Sequence, residues 1–285
     1  MKRVLTGALL TIVIGILSVV RGWPLRCGIL VLSFVGMHEV FGAFRAKGLK
    51  PVLSALWLFC LLGSAAAAFA DSLMHPVFRG LPPVLLCLVV SFIYAAFVVI
   101  ARGKSDFASL GATAFALVYP GLFFVTLQYV QDVKGELASI VACLITFLIA
   151  SSSDVCAYFI GCRFGKHRLS PEISPKKSVE GSVAGIAGAV LCACLVPLIV
   201  SALRGSMSDT MRQEALPPLW AFALLGAVIG VVSQLGDLTA SLVKRYCGIK
   251  DYGTILPGHG GVMDRFDGIL FTGCVCYAFF MIAGK

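Results

Sequence analysis

The sequence predicts an all-α polytopic membrane protein of about nine transmembrane helices, with its N-terminus cytoplasmic and its C-terminus outside. Three observations predict it. Apolar residues make up 59% of the 285 and charged residues only 13%, with a mean hydropathy of +0.96, whereas a soluble domain carries about 25% charge. Apolar runs repeatedly approach the roughly 20 residues that take a helix across a bilayer. The 23 Lys and Arg also divide unevenly between alternate connections, 16 on one face and 7 on the other, and short loops rich in these residues stay in the cytoplasm.

The first apolar run extends from Val4 to Val20 behind Lys2 and Arg3. It exceeds the signal-peptide core of about 7 to 15 residues, shows no small-x-small cleavage site and leads directly into more apolar segments, so it reads as a retained first span. With it, the predicted helices centre near Ile12, Ser33, Leu61, Ser91, Val118, Thr146, Leu191, Ala227 and Gly273, separated by charge or by Gly and Pro. Connections are short, which leaves a single membrane domain. Residues 1–130 form an N-terminal bundle, and residues 131–285 carry the polar chemistry in cytoplasmic loops at 161–181 and 244–264. The 11 cysteines match no zinc spacing and lie mostly inside apolar runs, where they serve as small hydrophobes. The net charge of +9 suits an anionic lipid surface. Nucleic acid is a poor partner, because aromatics are not interleaved with the basic loops.

Two stretches are too polar for ordinary connectors. The first runs from Ser151, Ser152, Ser153 and Asp154, at the end of the sixth span, through Arg163, Lys166, His167 and Arg168 to Ser174, Lys176, Lys177, Ser178 and Glu180. Cations beside hydroxyls and glycine-permitted backbone N–H groups are what a polyphosphate requires. A solvated basic loop that only sets topology is the plainer alternative. Asp154 either caps or pairs locally or serves a site, since an ionisable group in an apolar helix is costly otherwise. Glu39, beside His38 in the second span, either pairs with a basic residue or lines a polar cavity.

The second stretch joins the last two spans. Gln234, Asp237, Ser241, Lys244 and Arg245 close one helix, Lys250, Asp251, Gly253, Pro257 and His259 follow, and Asp264, Arg265 and Asp267 open the next. Asp237 and Asp264 lie at the cytoplasmic ends of consecutive antiparallel helices, where a short loop can face their carboxylates. Such a pair suits Mg2+, which is commonly held by one or two carboxylates plus substrate phosphate. A metal there polarises a phosphoryl oxygen. Asp264 and Asp267 also favour the positive end of a helix dipole without any metal. His259, flanked by glycines, reads first as a phosphate donor, and otherwise as a general base or a turn residue. Lys176, Lys177, Lys244, Arg245, Lys250 and Arg265 are assigned to phosphate charge, with Ser174 and Ser178 as hydroxyl donors.

From Ser241 to Asp267 the run SLVKRYCGIKDYGTILPGHGGVMDRFD resembles the signature of the CDP-diacylglycerol synthases, or phosphatidate cytidylyltransferases, through Ser241, Lys244, Arg245, Lys250, Asp251, Gly253, Pro257, His259, Gly260, Gly261, Asp264, Arg265 and Asp267. Upstream, Asp154, Ala157, Tyr158, Gly161, Gly165, Lys166, Ser174, Pro175, Lys176, Lys177, Glu180 and Gly181 resemble the same family's second segment. Val155, Cys156, Ser178 and Val179 depart from its common residues. The resemblance covers Ser151 to the C-terminus, and the first 130 residues match only as a bundle of apolar spans.

The resemblance implies an enzyme of phospholipid biosynthesis that converts CTP and phosphatidate to CDP-diacylglycerol and diphosphate with Mg2+. In it, Asp237 and Asp264 hold the metal, and the catalytic set is Asp237, Asp264, Lys244, Arg245, His259 and Asp267. Substrate binding falls to Ser174, Lys176, Lys177, Ser178, Glu180, Ser241, Lys250, Asp251, Arg265 and Asp154. A K+ beside the Mg2+ and a homodimer are implied by the family alone. The short chain points to a bacterial inner membrane with the active site facing the cytoplasm. A CTP-dependent polyprenol or phytol kinase is the nearest rival, and the full signature argues against it. A transporter would place its charge at the midplane in two repeated halves, and the sequence shows neither.

Overall fold

A computed structural model of the chain describes residues 15–16, 18–69, 83–103, 106–255 and 260–283. The protein is an all-α polytopic membrane protein, with one small hairpin among the described residues. The helices bounded within the described residues are α1 (Gly22–Ala46), α2 (Leu53–Ala68), α3 (Pro83–Ala101), α4 (Phe107–Ala116), α5 (Phe123–Tyr129), α6 (Glu136–Phe164), α7 (Val179–Ala202), α8 (Asp209–Gln213), α9 (Leu219–Cys247) and α10 (Met263–Ala283). Strands β1 (Arg168–Ser170) and β2 (Ser174–Ser178) pair antiparallel between α6 and α7. Among the described residues seven helical segments are long and apolar enough to cross a membrane, and α2 is shorter, at 16 residues. Eight of the nine predicted centres lie in described helical segments. The ninth, near Ile12, falls outside the described residues.

Lipid offers the backbone no hydrogen bonds, so helices that satisfy their own N–H and C=O groups are the available solution. Side-chain hydroxyls follow the same rule. Thr113, Thr126, Thr146 and Thr272 each donate to the carbonyl four residues back.

The residues cluster in two compact units. One contains Gly22–Tyr129 with Val243–Arg265, the other Val130–Leu242 with Phe266–Lys285. In the first, α2 and α3 pack through a core of Val52, Ala55, Ala95 and Val99. The Gln128 amide donates to the Ser64 hydroxyl at 2.6 Å, satisfying a buried amide inside the bundle. The span centred near Val118 is interrupted at Tyr119, whose backbone is non-helical ahead of Pro120; proline removes an intrahelical donor and crowds the preceding turn. In the second unit, α6 and α7 lie antiparallel, since Gly161 faces Gly181, Ser153 faces Gly185 and Cys156 faces Gly188. Helix α9 returns along α7, with Gly230 against Ile186 and Gly226 against Val190 and Ala193. Small residues at these positions let the backbones approach closely, as lipid-embedded packing requires.

Two sequence expectations change. Residues Ser151–Phe164 are helical, so Asp154 lies inside α6 and not at its end, and the connector starts at Gly165. The serines that suggested a loop are absorbed, because Ser151 and Ser152 donate to the carbonyls of Phe147 and Ile149. In the second stretch, Lys244–Cys247 still belong to α9, and the irregular segment begins at Gly248.

Candidate active site

In the second unit, the β1–β2 hairpin and α7 set the first group of residues. Ser178 has extended backbone and caps α7, its hydroxyl accepting from the Gly181 N–H at 3.2 Å. Glu180, in the first turn, accepts from the backbone N–H groups of Lys166 and His167 and meets His167 Nδ1 at 2.7 Å. These contacts fix the start of the hairpin, whose second strand carries Ser174, Lys176 and Lys177. Lys176 is exposed, while Lys177 turns inward. Lys177 Nζ lies 2.5 Å from Asp237 Oδ2 on α9, with both side chains about a quarter to a third exposed (25% and 31%). Ser241, one turn further along α9, donates to Asp237 Oδ1 at 3.4 Å. Below this group, Gln234 bonds both the hydroxyl and the carbonyl of Ser182. Asp154 is exposed on α6. Asp267 is buried on α10, and its Oδ1 accepts from the Gly268 N–H at 2.7 Å.

In the first unit, Asp264 organises a second group. Its Oδ1 accepts from Lys244 Nζ at 2.7 Å, and its Oδ2 accepts from the Tyr252 and Gly261 N–H groups at 2.8 and 3.0 Å. Only 7% of this side chain and 13% of Lys244 are exposed. The Lys244 ammonium also stands 5.5 Å from the centre of the Tyr252 ring, within cation–π range. Arg245, Lys250, Asp251 and Arg265 are exposed around this cluster. His259 lies outside the described residues.

The sequence brought Lys177 and Asp237 into one candidate site without pairing them, and likewise Lys244 and Asp264. It missed Tyr252, whose only visible signal was its place inside the signature. It also left Glu39 between two alternatives, and the structure shows a third. Glu39 is 5% exposed and accepts from the Val262 and Met263 N–H groups at the start of α10, at 3.0 and 2.9 Å.

Chemically, each carboxylate is an anionic oxygen donor neutralised by one lysine, beside further exposed cations. That arrangement suits the handling of phosphate and its counter-ion.

The chain matches the model of the cytidylyltransferase family over residues 1–283, so the likeness extends across the N-terminal half as well as the two polar segments. It is 31% identical over 292 residues to a Bacillus subtilis protein named phosphatidate cytidylyltransferase, covering 99% of this chain and 97% of that one. A Staphylococcus epidermidis protein of the same name is 35% identical over 185 residues, 65% of this chain and 64% of its own. A Synechocystis relative, also so named, is 28% identical with 97% of each chain covered. This membrane-embedded chain belongs to the cytidylyltransferase family and is a nucleotidyltransferase.

Proposed function

We propose that the protein transfers the cytidylyl group of CTP to phosphatidate, giving CDP-diacylglycerol and diphosphate for phospholipid synthesis. The names of its near full-length relatives support the two substrates. The observation that carries the chemistry is the Lys177–Asp237 pair, a partly exposed lysine and carboxylate brought together from segments sixty residues apart. A phosphate oxygen of the lipid attacks the α-phosphorus of CTP, the bond to the β-phosphate oxygen breaks, and diphosphate leaves. The attacking oxygen is already anionic at neutral pH, so no general base is required.

Magnesium is the proposed cofactor, with Asp237 and Asp264 as its ligands. Hard carboxylate oxygens suit it, and the partial exposure of Asp237 leaves that group accessible. Among the described residues no group of three or more His, Cys, Asp or Glu comes together; the remaining oxygens would come from substrate phosphates and water. When bound, the ion would neutralise charge on the transferring phosphoryl group. Lys177 and Lys244, released from their carboxylates, would then be available to phosphate oxygens. Ser174, Lys176, Lys250 and Arg265 are proposed for the same polyanion, with K+ and a homodimer as further expectations. Nine spans, a cytoplasmic N-terminus and a bacterial inner-membrane setting complete the reading, so that CTP arrives from the cytosol and the lipid from within the bilayer.

The test is Mg2+-dependent formation of a CDP-lipid from phosphatidate and radiolabelled CTP by purified protein in detergent. Asp237→Asn should fold normally and make almost none. Folded wild type that makes no CDP-lipid, yet phosphorylates a lipid alcohol and releases CDP, would overturn the proposal in favour of a kinase.

A further inference from the structure

We infer that Glu39 is a positioning residue for the reaction, holding the Asp264 carboxylate in its working place from a helix more than two hundred residues away in sequence. The inference rests on the proposed role of Asp264. A carboxylate buried in an apolar helix is costly unless its oxygens are satisfied. Both Glu39 oxygens are satisfied by successive backbone N–H groups, Val262 and Met263, at the first turn of α10. The same N–H groups carry the positive end of the helix dipole, which favours an anion there.

The surrounding backbone is shaped to this carboxylate. A Cβ at either Gly253 or Gly261 would collide with the Glu39 carboxylate. Two points of the loop therefore close on one side chain, and both adjoin the residues whose N–H groups hold Asp264. Tyr252 precedes Gly253 and donates to Asp264 Oδ2, and Gly261 itself donates to the same oxygen. Glu39 thus holds the backbone at Gly253 and at Gly261 to Met263, and the N–H groups of Tyr252 and Gly261 fix the Asp264 oxygen. Glu39 acts only through that chain of backbone groups.

Glu39→Gln keeps the shape but replaces one acceptor by an NH2 group, which cannot accept from a backbone N–H. Two readouts test it, amide hydrogen exchange of the 252–264 segment by mass spectrometry and CDP-lipid kinetics across a Mg2+ titration. The variant should exchange faster in that segment and not in the 165–178 hairpin. Its Mg2+ half-saturation should rise severalfold and its kcat fall about tenfold, with KM for phosphatidate unchanged. Gly261→Ala should show the same signature, and its effect should shrink in a Glu39→Ala background, because neighbours that share one contact are not additive. Unchanged segment exchange, unchanged Mg2+ dependence, exchange raised uniformly along the chain, or independent multiplication of the Glu39 and Gly261 effects would each overturn the inference. Exchange needs no substrate, so an inactive wild type would defeat the proposed reaction while the 252–264 result still decides the role of Glu39.

Discussion

The two polar segments use one device in opposite surroundings. Around the described residues 248–255 and 260–263, the backbone is held by two buried carboxylates, Glu39 and Asp264, which accept from the Val262, Met263, Tyr252 and Gly261 N–H groups. In the segment from Gly165 to Ser178, the backbone is held by the β1–β2 ladder and by Glu180, whose side chain is 27% exposed and which accepts from the Lys166 and His167 N–H groups. Water can replace a lost acceptor at the exposed site. At the buried site it cannot, and an unsatisfied N–H then bears its full desolvation cost. The exposed hairpin is therefore tolerant where the buried loop is not, although both carry a lysine paired with a carboxylate.

The largest expected effect separates the two carboxylates proposed to bind metal. Asp264→Ala removes one partner of a buried ion pair and frees two backbone donors, so it should abolish activity and also destabilise the protein by about 3–5 kcal/mol. Thermal unfolding in detergent reads this directly. Asp237→Asn should cost a comparable share of activity but change stability by less than about 1 kcal/mol, because the Lys177–Asp237 pair is partly solvated. Equal losses of stability in the two variants would break the comparison.

How much of this was legible from sequence follows the same division. Helix centres such as Ser33, Ser91 and Leu191 were readable, because apolar run length alone decides a bilayer span. The extension of α6 to Phe164 was not, since serine reads as a loop former unless its hydroxyl is seen to bond back into the helix. The polar groups around Asp237 and Asp264 were legible as clusters of charge. Their partners were legible only in part: Lys177 and Lys244 carry visible charge, whereas the acceptors and donors that shape the loop are backbone N–H groups without any sequence letter. Glu39 was conspicuous as an ionisable residue in an apolar span, but its partners lie 223 and 224 residues away, beyond any local pattern. The β1–β2 hairpin was hidden among its prolines and lysines.

A smaller effect belongs to the exposed scaffold. Glu180→Gln keeps the Ser178 cap and the β1–β2 ladder, so the hairpin should survive. Looser placement of Lys177 should raise KM for CTP a few-fold at most, with kcat and the unfolding midpoint nearly unchanged. A loss approaching that of Asp237→Asn would show that the hairpin depends on Glu180 as strictly as the buried loop depends on Asp264.

The smallest effect extends the series to a partly exposed carboxylate that touches no part of the site. Asp106 caps α4, its Oδ1 accepting from the Ser109 N–H at 3.1 Å. Hydrogen bonding from the Ser109 side chain and then its amide holds the Asp106 carboxyl below its ordinary value, with Arg102 and Lys50 nearby acting in the same direction. A carboxyl depressed in the folded state contributes stability that is fully present above its unfolded pKa and disappears as the pH falls through its folded one. Asp106→Ala should therefore lower the unfolding midpoint slightly at neutral pH, and the gap from wild type should close on acidification below the ordinary carboxylate range. Activity should not change. A gap that persisted at low pH would mean that the cap acts through shape and not through charge, and exposure would then no longer rank the carboxylates of this protein.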